Sequence, residues 1–174
     1  MAVLIEGISV VIRADVLLAK FPGGWDAFME IVPNQTLCAD NEIIRVGFMT
    51  PQDVKAFTDK LNEFGIAFLP SGNSTDVVVV DQMRGPTTQC SWLEFGHINL
   101  DADSHRVAVC RLAGSQNMEM NAPTNWKFES SLSSSFGFVP TEHIQKGLKF
   151  LRHDNGLDIY LNPVTGKEVY VGRA

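Results

Sequence analysis

The chain has 174 residues, with 45% apolar and 20% charged side chains, and 14 Lys+Arg stand against 20 Asp+Glu for a net charge of −6. That balance excludes an intrinsically disordered tail, and 14 unphased Gly and 8 Pro exclude collagen-like and low-complexity classes. A net negative charge argues against general nucleic-acid binding, which needs a basic footprint.

The acidity is uneven. Residues 1–126 carry 15 acids and 8 bases, whereas residues 127–174 carry 5 acids and 6 bases. An electrostatic role belongs on the first two-thirds of the chain, as a surface for a basic partner. Three widely spaced cysteines, Cys38, Cys90 and Cys110, contain no CxxC pair and fit reduced thiols in a cytoplasmic protein. Residues 1–12 are apolar but include Glu6 and lack a basic leader, so they predict a strand rather than a signal peptide. No apolar run approaches the roughly 20 residues a membrane span requires.

In chain order, Ile8–Arg13 predicts a buried strand and Asp15 caps a helix that breaks at Pro22-Gly23-Gly24. Trp25–Val32 resumes helical spacing, with Trp25, Phe28, Met29 and Val32 on one face. Pro33-Asn34 ends it. A hairpin follows, Thr36–Cys38 against Glu42–Met49, with Ile43, Arg45 and Gly47 on one side and Ile44, Val46 and Phe48 on the other.

The clearest helix starts at Thr50. Thr50 is an N-cap, Pro51 occupies the first turn, and Asp53 favours the positive helix end. Val54, Phe57, Leu61 and Phe64 form one stripe, and Gly65 sits where a left-handed C-terminal residue belongs. Ile66–Leu69 predicts a short strand and Asp76–Gln82 a strong buried one. The resulting β-α-β-β-α-β order over residues 8–82 is ferredoxin-like.

The second half predicts antiparallel strands. Trp92–Asn99 and His105–Leu112 flank a turn at 101–104; Trp126–Glu129 is a strand; Phe136–Val139 pairs at an edge. Lys149–Arg152, Leu157–Leu161 and Lys167–Val171 make a meander with turns at 153–156 and 162–166. The expected fold is therefore α+β: a ferredoxin-like half, 1–82, packed with a β-meander half, 90–174, in a single compact domain.

The stretch Asp81–Gly96, DQMRGPTTQCSWLEFG, gathers the most polar and reactive groups. Asp81, Arg84, Thr87, Thr88, Trp92 and Glu94 are the candidate binding residues, with Arg84 as an anion clamp. Cys90 and His97 are the catalytic candidates, because a thiol nucleophile needs a base. Against this, a tight turn would use the same Asp and Thr groups to satisfy the backbone. Asp101, Asp103 and His105 alternate but lack the Gly and Glu of a calcium loop, so no metal site is predicted. No phosphate loop occurs and no cofactor is implied. Three Trp and eleven Phe exceed what one small sheet must bury, and the surplus is available to a partner.

Two functional classes follow. The leading expectation is a non-enzymatic binding protein, immunity- or adaptor-like, acting through a protein–protein contact with neither nucleic acid nor membrane. The alternative is a small-molecule-binding protein or enzyme using the Asp81–Glu94 segment.

Overall fold

A computed structural model describes residues 2–69, 72–100, 105–116, 119–133, 136–139, 149–154, 157–162 and 167–172. The elements are β1 (Ala2–Ile5), β2 (Ile8–Arg13), α1 (Ala14–Lys20), α2 (Gly24–Ile31), β3 (Cys38–Ala39), β4 (Ile43–Phe48), α3 (Pro51–Glu63), β5 (Val77–Asp81), β6 (Gly85–Pro86), β7 (Leu93–Asn99), β8 (Arg106–Leu112), β9 (Met120–Asn121), β10 (Phe136–Val139), β11 (Lys149–Asp154), β12 (Leu157–Asn162) and β13 (Lys167–Gly172).

The fold is α+β; among the described residues there are three α-helices and several sheets that are mainly antiparallel. One sheet has the order β3-β4-β2-β5-β6 and is antiparallel throughout. A second has the order β7-β8-β1-β9. The first sheet separates two cores. On one face Val10, Ile12, Ile44, Val46, Val77 and Val79 pack with Leu17, Phe28, Phe57 and Leu61 of the helices. On the other, Val11, Ile43, Val78 and Val80 pack against Val3, Ile5, Ala108 and Cys110 of the second sheet. This explains why β5 reads as an unbroken VVVV run. A strand covered on both faces has no solvent side to mark with polar residues.

The alternation expected along β4 holds, but its two sides are both buried. α3 forms as its end signals predict: the Thr50 hydroxyl accepts from the Asp53 N–H at 3.2 Å, and Gly65 has φ +85°.

Several expectations need correction. The N-terminal residues make two strands, not one. Gly7, with φ +62°, turns the chain from β1 in one sheet to β2 in the other. Asp15 is not the cap of α1, since Arg13 holds that position without a side-chain bond; Asp15 Oδ1 accepts from Val16 N–H inside the first turn. On α2 only Phe28 is buried, whereas Trp25 and Met29 are exposed. Residues 66–69 form no strand, only an isolated bridge from Phe68 to Val77. Trp126–Glu129 is not a strand; a 3-10 turn runs from Phe128 to Ser130.

The β7–β8 hairpin is present, but it extends through β1. Thus the N-terminal strand lies between β8 and β9 from the second half. β11, β12 and β13 make the antiparallel meander, and β10 pairs parallel to β13 at its edge. The turns expected at 101–104 and 163–166, and the tip Asn155-Gly156, lie outside the described residues. Among the described residues, no helix is long and apolar enough to cross a membrane.

Candidate functional site

The Asp81–Glu94 segment is a tightly self-bonded connection. Asp81 ends β5 and is buried; its Oδ1 accepts from the N–H groups of Met83 at 2.8 Å and Arg84 at 3.0 Å. Gly85 follows at φ +88°, and a β-carbon there would lie 2.7 Å from the Phe95 ring. Thr87 donates from both its N–H and its hydroxyl to the Val79 carbonyl. The Thr88 hydroxyl pairs with that of Ser74 at 2.7 Å, and the Trp92 indole N–H donates to the Ser74 carbonyl at 3.1 Å.

The remaining candidates are placed less alike. Arg84 is exposed. Glu94 accepts from Arg111 Nε at 2.6 Å, and that hydrogen bond holds its carboxyl below the usual range. Cys90 packs, half-buried, against the inter-sheet core, and burial pushes its thiol pKa up. Nucleophilic cysteines need the opposite shift. His97 is exposed, edge-on to Phe95 at 5.2 Å between ring centres. Among the described residues, no group of three or more His, Cys, Asp or Glu side chains is placed to hold a metal ion.

A buried, fully bonded charge sits at a position that sequence reasoning placed on a strand face without assigning it a role. Arg45 of β4 is 2% exposed. Its Nε donates to Ser9 Oγ at 2.9 Å, Nη1 to the Thr36 carbonyl at 3.0 Å, and Nη2 to the Glu6 carbonyl at 2.9 Å. Burial lowers its pKa, but arginine stays protonated in proteins. The Glu6 carboxylate is spent elsewhere. It accepts from Trp126 Nε1 at 2.9 Å, from Ser133 N at 2.8 Å and from the Ser133 hydroxyl, pinning the 126–133 segment. Arg45, Glu6 and Trp126 line a crevice of about 480 Å³. The sequence signal was a lone charge in an otherwise apolar strand, two residues before a glycine.

A different surface lies on α2. Its buried side is anchored by Phe28, whose ring meets those of Phe21, Trp25 and Phe57. Trp25 and Met29, one turn apart, are 36% and 43% exposed. Asp26 and Glu30, the next residue in each case, are exposed, and among the described residues their side chains make no ion pair or hydrogen bond. Leu18 on the adjoining α1 is 61% exposed. Isolated exposed apolar residues are ordinary, but a Trp and a Met one turn apart beside unpaired acids form a local face. Such a face can anchor a partner. The chain matches no protein-family model, no curated protein and no solved structure.

Proposed function

We propose that this protein is a non-enzymatic binding module that engages a protein partner through the outward face of α2. The observation that carries the reading is the pair Trp25 and Met29, exposed one turn apart on a helix whose other side is fixed by Phe28. Trp is enriched among residues that dominate binding energy, and Met adapts to irregular partner surfaces. The alternative site is less supported. In Asp81–Glu94 the hydroxyls of Thr87 and Thr88 and the indole N–H of Trp92 are already bonded within the chain.

Two finer features belong to the same proposal. The spatial order β3-β4-β2-β5, with helices against one face, supports a ferredoxin-like arrangement of the N-terminal half. Three free cysteines support residence in a reducing, cytoplasmic environment.

Affinity capture from native lysate tests the reading. The wild-type chain is expected to retain a partner, and a Trp25→Ala/Met29→Ala variant with unchanged circular dichroism is expected to lose it. Retention by the variant, or a clean monomer with no partner, would refute the proposal.

A further inference from the structure

We infer that the partner of the α2 face is a basic protein surface carrying an apolar socket, drawn in by long-range attraction and anchored by Trp25 and Met29. The inference rests on the binding reading above and names the chemistry of the partner.

The helix layer carries six acids, Asp15, Asp26, Glu30, Asp53, Asp59 and Glu63, against Lys20, Lys55 and Lys60. Ion pairs remove charge of both signs: Lys20 pairs with Asp76 at 3.0 Å, Lys55 with Asp59 at 2.6 Å and Arg13 with Asp15 at 2.8 Å, which among the described residues leaves Asp26, Glu30, Asp53 and Glu63 against Lys60. On α2 itself there is no basic residue, and among the described residues neither Asp26 nor Glu30 has a cationic neighbour in ion-pair reach. The two acids also follow each other at i,i+4. Like charges at that spacing repel each other in a helix, and an opposing cation relieves the repulsion. In helical projection they sit about 100° around from Trp25 and Met29. A partner seated on the apolar pair therefore meets the two carboxylates at its rim.

Rim charges of this kind set the rate of encounter and its salt dependence, while the buried anchors set the lifetime of the complex. An acidic partner would place like charges beside Asp26 and Glu30. A neutral partner would leave both carboxylates without a counter-charge. Only a cationic rim uses all four side chains.

The full chain, labelled for amide NMR, is titrated with three amphipathic helical peptides of equal length: lysine–leucine, glutamine–leucine and glutamate–leucine. The lysine–leucine peptide is expected to shift resonances of residues 24–31 saturably, with affinity falling at least tenfold between about 50 mM and 500 mM salt as screening shortens. Asp26→Asn/Glu30→Gln should weaken it about fivefold or more, and Trp25→Ala should abolish the α2 shifts. All three positions are exposed, so the fold is retained, as circular dichroism would verify.

Equal binding of the neutral or acidic peptide at α2 would overturn the basic class while leaving the surface intact. Shifts confined to other elements, or no shifts at all, would overturn the inference. Failure of the binding reading itself is separate: it shows as capture from lysate that survives Trp25→Ala/Met29→Ala.

Discussion

Arg45 and Gly47 share one face of β4, and the guanidinium of the first fills the space that a β-carbon on the second would need. An added methyl at Gly47 would lie 2.8 Å from the guanidinium carbon. The arginine cannot swing aside cheaply, because it is buried and tied to Ser9, Thr36 and Glu6. Gly47→Ala should therefore cost about 1–3 kcal/mol, the usual range for overpacking. Arg45→Met should also destabilise, by leaving buried acceptors unpaired. The double variant should cost clearly less than the sum, since the methyl then meets a flexible thioether. Urea unfolding of the four proteins measures this, and strict additivity would refute the steric coupling.

α2 should show a sharp contrast between its two sides. Phe28→Ala removes a fully buried ring and should cost about 3–5 kcal/mol. Trp25→Ala removes a larger ring that leans on Phe28 but keeps about a third of its surface exposed, and should cost clearly less, about 1–2 kcal/mol. Comparable losses on thermal unfolding would mean that Trp25 is a core residue and that the partner face is misplaced.

The elements legible in the sequence were those written locally. α3 carries its own start, stripe and stop in Thr50, Val54–Leu61 and Gly65. β5 announces two-sided burial by its composition. What escaped depends on distant partners. Nothing in residues 1–13 says that β1 belongs beside β8, because the switch at Gly7 is fixed by contacts such as its N–H to Gln82 Oε1 at 2.9 Å. Trp25 and Met29 fit an amphipathic stripe as well as Phe28 does, and only the position of α2 against Phe21 and Phe57 decides which side is covered. Arg45 looked like a polar position on an alternating strand. Its role appears only when Glu6, Ser9 and Thr36 are brought around it.

In the Asp81 turn, hydrogen bonding rather than charge is the stabilising element. Asp81→Ala should cost about 1–2 kcal/mol, since the N–H groups of Met83 and Arg84 lose their acceptor. Asp81→Asn keeps an oxygen at the same place and should stay within about 0.5 kcal/mol of wild type. An Asn variant as unstable as the Ala variant, in thermal unfolding at neutral pH, would show that the turn needs the negative charge.

Alkaline pH should destabilise the protein through its buried thiols. Burial raises the pKa of Cys38, Cys90 and Cys110; the neighbouring Arg45 charge offsets the shift at Cys38 only in part. The folded chain thus keeps protons that the unfolded chain releases above about pH 8.5. Stability is fully present below that value and falls as pH rises, at up to about 1.4 kcal/mol per pH unit for each protonated thiol. Arg45, whose pKa is lowered, works in the opposite direction but only at far higher pH. Cys110 is the most informative position, because it is almost wholly buried between the sheets. Cys110→Ala should lower stability at pH 7, yet its loss between about pH 8.5 and 10.5 should be shallower than that of wild type. Parallel curves for the two proteins in urea unfolding would show that ionisation of Cys110 is not coupled to folding.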